Sequence, residues 1–160
     1  DGYTFTLVSA HLKSRRVGVQ ADEAEVRLEE AKLLREKIDA CLSVDPKANM
    51  VLLGEFNDTK DSLTIKTLIG NGKLRLIDTR PSERSKDSEF HTEGGQDSRT
   101  VTWTHYFAKE DNYSRIDYIL LSPGMAREWL KPETYVLAAP GWGVASDHRP
   151  LVAGFEAEDR

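Results

Sequence analysis

Four short clusters of polar residues in this 160-residue chain carry side chains able to do acid–base and metal chemistry. They are Ser9-Ala10-His11-Leu12, Gly54-Glu55-Phe56-Asn57-Asp58, Ser114-Arg115-Ile116-Asp117-Tyr118 and Ser146-Asp147-His148-Arg149-Pro150. Each abuts an apolar stretch that reads as a strand, and in open α/β sheets functional groups collect at strand ends. Four such clusters point to one convergent site. Singly, each has a plain explanation. His11 can be a satisfied residue closing a strand, Glu55 a solvated charge, and Asn57 and Asp58 turn formers. Asp147 and His148 can simply turn the chain before Pro150. Asp117 is harder to dismiss, because a carboxylate within an apolar strand needs a partner. His105 and His91 fit no pattern and are expected to be structural. Trp103, Trp129 and Trp142 are expected to be packing residues.

The elements that would position these groups are legible in the hydrophobic pattern. Tyr3 to Leu12 alternates as a buried strand. A long amphipathic helix is expected from about Ala21 to Leu42, with Ala24, Leu28, Ala31, Leu34, Ile38 and Cys41 as its apolar stripe. Cys41, the single cysteine, is therefore expected to be a small buried hydrophobe. Met50 to Leu53 is wholly apolar and suits a strand covered on both faces. Asp61 or Ser62 caps a second helix that ends near Gly70. Leu74 to Ile77 is a short apolar segment. Arg80 to Arg99 lacks periodicity and reads as a long surface loop. Val101 to Thr104 and Arg115 to Leu121 are expected to pair as strands across a turn at Lys109 to Asn112. Pro123 to Trp129 reads as a short helix. Tyr135 to Ala138 and Leu151 to Phe155 read as the last strands. No repeat, low-complexity tract or linker interrupts the chain, so residues 1–160 form one α/β domain.

Composition narrows the classes. Hydrophobic residues make up 39% and charged residues 31%, a globular balance rather than a disordered one. No apolar run reaches membrane-spanning length, and no signal peptide is visible. The chain begins at Asp1, which reads as an excerpt or a processed product; the compartment stays open. A net charge of -5 argues mildly against non-specific coating of nucleic acid. It does not argue against metal-assisted phosphate chemistry, since a bound cation resets the local charge. A zinc protein is disfavoured by the lack of His-x-x-x-His spacing and of clustered cysteines.

The blocks Ser-Ala-His-Leu, Leu-Gly-Glu-Phe-Asn-Asp, Thr-Trp-Thr, Arg-Ile-Asp-Tyr-Ile-Leu and Ser-Asp-His-Arg-Pro-Leu occur in this order. Together they resemble the C-terminal part of the endonuclease/exonuclease/phosphatase (DNase I-like) family, over about residues 3 to 155. The resemblance implies half of a four-layer α/β sandwich: one mixed β-sheet with helices on one face. It also implies hydrolysis of phosphoester bonds by metal-assisted water attack, with Mg²⁺ or Mn²⁺. His148 matches the histidine that contacts the scissile phosphate, and Asp117 the acid that keeps it oriented and charged. Asn57 matches the residue that positions water or phosphate. Glu55 stands where the family has the aspartate that orients or deprotonates the water. Asp147 matches an acid near the metal, so Asp147, Glu55 and Asn57 are the expected metal residues. His11 matches a second phosphate-contacting histidine. Arg15, with Lys13 and Arg16, forms the compact basic cluster that could meet substrate phosphate.

Two departures bear on activity. Glu55 replaces an aspartate, moving the carboxylate by about an ångström, a shift of the size that can cost roughly 10²-fold in rate. The family's first half, with its principal metal-binding Glu, is absent. An apolar sheet face left open must be buried by a partner, which implies a homodimer or a separately supplied N-terminal half. Nucleic acid, phospholipid head groups and small phosphodiesters are all candidate substrates. The alternative is a truncated module that folds and dimerises but hydrolyses little or nothing.

Overall fold

A computed structural model of the chain describes residues 2–15, 22–84, 102–138 and 140–158. The central sheet has four strands: β1 (Thr6–Ser9), β2 (Met50–Glu55), β7 (Asp117–Leu121) and β3 (Ile77–Asp78), side by side in that order. β1 and β2 are parallel, while β7 runs antiparallel to both β2 and β3. The connection between the parallel pair is α1 (Glu23–Val44), as parallel pairing requires a long crossover. A second sheet contains β4 (Ser82–Arg84), β8 (Trp129–Leu137) and β9 (Leu151–Phe155), with β8 central. A small hairpin pairs β5 (His105–Phe107) with β6 (Asn112–Ser114).

Alternate residues of β2 and β7 supply two cores. Leu52, Tyr118 and Leu120 face the helices and pack with Ala31, Ile38, Leu42, Phe56, Ile65 and Leu68. Val51, Ile119 and Leu121 face the other way and meet Met125, Trp129, Leu151, Ala153 and Phe155. Both faces are covered, which explains why Met50 to Leu53 carries no polar residue. The second apolar face of the sheet is thus not bare, contrary to the expectation above. Phe5 and Leu7, at the β1 edge, do stay half exposed.

The long helix starts where the Asp22 side chain accepts the Ala24 N–H, the usual N-cap arrangement. Its buried stripe is Arg27, Ala31, Arg35, Ile38 and Leu42. Cys41 is exposed, against expectation. The face is turned because two arginines are used as buried linkers. Arg35 donates to the carbonyls of Leu68, Ile69 and Leu74, tying the long helix to the end of the second helix and to the turn after it. That helix, α2 (Leu63–Ile69), is capped by Ser62 and ends at Gly70, as expected.

Three other expectations shift. Residues 102–104 form no strand, and the hairpin lies one step later, with Phe107 and Asn112 flanking the turn. Arg115 to Leu121 does not pair with it; its strand begins at Asp117 and completes the central sheet. The segment after Pro123 makes only a 3₁₀ turn (Met125–Arg127), because Trp129 already belongs to β8. Within Arg80 to Arg99, residues 82–84 form an edge strand parallel to β8. Residues 85–99 of that stretch, including His91, lie outside the described residues, as do Arg16 and Val101.

Candidate active site

The parallel pairing of β1 and β2 brings their C-terminal ends together. Leu12 N–H donates to Glu55 O at 3.0 Å, so the residues following β1 run beside the end of β2. Gly54 allows this approach. Its φ is +139°, and a Cβ at this position would stand 1.9 Å from the Ala10 carbonyl oxygen. On the other side, β7 places Asp117 directly opposite Glu55. The fourth segment is fastened by main-chain bonds: Arg149 N–H donates to Thr104 O at 2.7 Å, and Tyr106 N–H to Asp147 O at 3.2 Å. His148 is thereby set against His105 across an isolated antiparallel bridge.

The side chains converge. His148 Nδ1 lies 2.9 Å from Asp117 Oδ2, and its Nε2 is 3.8 Å from Glu55 Oε2. The same Glu55 oxygen is 3.5 Å from His11 Nε2. An ionised carboxylate only accepts hydrogen bonds, so the Nδ1 facing Asp117 carries a proton. This leaves Nε2 as the working nitrogen. Asp117 Oδ2 also accepts from the Thr104 hydroxyl at 2.6 Å. That hydroxyl in turn receives the Ile116 and Asp117 N–H groups at 3.2 and 3.3 Å. Thr104 is fully buried, so the network fixes the carboxylate from behind.

The Gly54–Asp58 loop is locked from below. Phe56 is fully buried and stacks on Tyr118 with ring centroids 5.5 Å apart. Asn57 has a φ of +53°, a left-handed conformation that asparagine tolerates better than most residues. Its Nδ2 donates to Leu12 O at 3.0 Å. Arg15 donates to the Asn57 carbonyl through Nε at 2.8 Å and meets Asp58 at 3.2 Å. Its guanidinium is therefore partly committed to holding the loop. Tyr118 donates its hydroxyl to Asp58 O at 2.9 Å, and burial pushes its ionisation above the ordinary phenol range.

Asp58 is the electrostatic hub of this loop. Burial alone would raise its pKa, but hydrogen bonds from Thr64 and the Thr59 N–H, with the Arg27 guanidinium, outweigh it and hold the carboxyl below its ordinary value. Arg27 sits 3.3 Å away and is itself buried. A carboxyl depressed on folding adds stability that is complete above its unfolded pKa and lost as pH falls through the folded value. Urea midpoints measured from pH 6 down to pH 3 should fall less steeply in Asp58→Asn than in the parent chain. Parallel profiles would show that Asp58 does not carry this dependence.

Of the residues expected from the sequence, the structure joins His148, Asp117, Glu55 and His11 in one cluster. Asn57 and Arg15 stand bonded together on the neighbouring loop. Asp147 falls elsewhere than expected. It is grouped with His105 and His148, whereas Glu55 groups with Asp117 and His148. His105, expected to be structural, is 3.5 Å from Asp147 and packs on His148 with ring centroids 4.6 Å apart. Its place beside His148 was hidden because the bridge spans distant segments. Thr104 was visible only as part of the Thr-Trp-Thr block. Arg149 was also missed: it is buried, pairs with Glu83 at 2.9 Å and lies 4.1 Å over the Trp103 ring. It thus clamps the His148 segment to the chain before β5.

No protein-family profile matches the sequence, and no curated protein matches it. Solved structures do resemble the fold. The 3′ phosphatase NExo from Neisseria, solved with a product DNA hairpin, superposes with a TM-score of 0.61 at 20% identity, covering 94% of this chain and 60% of that one. Sphingomyelinase C from Streptomyces griseocarneus gives 0.57 at 18% identity, over 94% and 52%. An endonuclease/exonuclease/phosphatase from Bacteroides vulgatus gives 0.51 at 19%, over 83% and 45%. The chain therefore spans roughly half to three-fifths of the length of these proteins.

Proposed function

We propose that this chain, which has the fold of the C-terminal part of endonuclease/exonuclease/phosphatase (DNase I-like) proteins, carries the phosphate-contacting half of a metal-dependent phosphoester hydrolase. The observation that carries the reading is the Thr104–Asp117–His148 relay, with Glu55 within reach of His148. No packing need explains a buried hydroxyl, a carboxylate and an imidazole joined in series and ending at a partly exposed nitrogen.

The donor set fits a hard divalent cation. Asp117 Oδ2 is already spent on Thr104 and His148. Glu55 remains as the available carboxylate, and Asn57, whose amide nitrogen is bonded to Leu12 O, offers its amide oxygen. One carboxylate and one neutral oxygen, completed by water and substrate phosphate, is a set that suits Mg²⁺. The ion, once bound, would polarise a phosphoryl oxygen and offset charge in the transition state.

The chain's own residues do the rest. His148, tied through Nδ1 to Asp117, donates from Nε2 to a phosphoryl oxygen and stabilises its growing charge. Asp117 is a positioning residue that fixes the ring, which donates from Nε2 as the imidazolium, protonated on both nitrogens. Glu55 takes the proton of the attacking water. His11, on the far side of Glu55, contacts a second phosphate oxygen, and Arg15 at the loop edge adds positive charge for an incoming phosphate. The Phe5 and Leu7 edge is covered by the N-terminal half or by a second copy of this chain.

The test is hydrolysis of bis-p-nitrophenyl phosphate, plasmid DNA and a phosphocholine lipid by the purified chain with Mg²⁺ or Mn²⁺. Cleavage that EDTA abolishes supports the reading. Absence of cleavage in the folded chain, alone and mixed with a full-length relative's N-terminal half, would sink it.

A further inference from the structure

We infer that His105, Asp147 and His148 form a second metal site, selective for a borderline divalent ion such as Zn²⁺ and separate from the oxygen-rich position at Glu55 and Asn57. The three residues each offer a ligand atom, all within 4.8 Å of one another. His105 Nε2 and Asp147 Oδ2 are 3.5 Å apart. Two ligands about 2.0–2.1 Å from a tetrahedral zinc ion lie about 3.4 Å from each other, so this pair needs almost no movement. The third ligand is supplied by His148, whose Nδ1 is engaged by Asp117 at 2.9 Å. A histidine held by a carboxylate through one nitrogen presents the other to a metal in a fixed orientation. Asp117 is thus an outer partner of this site.

The backbone fixes two of the three ligands before any ion arrives. His105 and His148 face each other across a bridge, and Thr104 O and Asp147 O accept the N–H groups that hold it. Asp147 is largely exposed, leaving an open approach and room for a water as fourth ligand. Two imidazoles and one carboxylate favour zinc or a similar transition ion over Mg²⁺, which prefers oxygen. The sequence spacing hides the site because its histidines lie 43 positions apart.

Occupation has a consequence that rests on the proposed hydrolysis. The ion takes His148 Nε2, the nitrogen that would otherwise contact phosphate. Zinc bound here holds the chain inactive even with Mg²⁺ present.

Binding is measured separately from activity, so the two readings fail separately. Zinc affinity is read by competition with a chromophoric chelator, in a Cys41→Ser background that removes the exposed thiol. We expect one zinc per chain, undisturbed by a large excess of Mg²⁺. Asp147→Asn and His105→Gln should each weaken it more than about 100-fold, beyond the roughly 10–100-fold loss typical of an outer partner. His11→Gln, confined to the Glu55 side, should leave it unchanged. Asp147→Asn alters an exposed side chain, so its result stands even if His105→Gln fails to fold. Equal zinc affinity in Asp147→Asn, loss in His11→Gln, or displacement by Mg²⁺ would each overturn the second site.

Discussion

His148→Ala should lower metal-dependent hydrolysis of bis-p-nitrophenyl phosphate by about 10²–10³-fold, the cost of removing one preorganised donor to developing charge. The proposed mechanism makes this large because His148 is held in one orientation. Thr104, the Ile116 and Asp117 N–H groups and Asp117 together fix a single nitrogen. The fold should survive, since the His148 side chain is partly exposed and belongs to neither hydrophobic cluster. Far-UV circular dichroism and the urea midpoint check that point. Asp117→Asn separates positioning from mere structure: it should lower kcat while leaving KM nearly constant. A His148→Ala chain that keeps its activity would remove the histidine from the reaction.

Gly54→Ala should destabilise the chain by about 3 kcal/mol or more, the combined order of backbone strain and overpacking. Two causes act together. The φ of +139° is one that side-chain-bearing residues avoid, and the new methyl would meet the Ala10 carbonyl oxygen at 1.9 Å. A backbone carbonyl cannot swing aside as a flexible side chain can. Relief must come from separating β1 and β2, and that breaks the approach that sets His11 beside Glu55. The urea midpoint should drop sharply, and hydrolysis should fall further than stability alone accounts for. A variant with parental stability would show that the two strands part at no cost.

Much of the candidate site was legible in the sequence. His11, Glu55, Asp117 and His148 each stand at the boundary of an apolar strand, and strand ends are local features that hydrophobic periodicity marks. The cap at Ser62 and the stop at Gly70 were legible for the same reason: the stabilising contacts lie within a few residues. Where the burial pattern was judged from apolarity alone, it failed. Arg27 and Arg35 are buried in α1 while Cys41 is exposed, because carbonyls and a carboxylate from other segments make burial of a guanidinium favourable.

Tertiary structure alone decided which clusters meet. Asp117 faces Glu55 because β7 runs antiparallel to β2 in one register, a choice made by both apolar faces of those strands at once. Asp147 parted from Glu55 and joined His105 because the main-chain bridge at His148 turns that segment toward β5. Residue types and their order thus determined the chemistry available to this protein, since each side chain brings its acidity and ligand preference with it. Their grouping into the Thr104–Asp117–His148 relay and a neighbouring histidine pair was set by strand pairing, whose hydrogen bonds join residues the sequence keeps far apart.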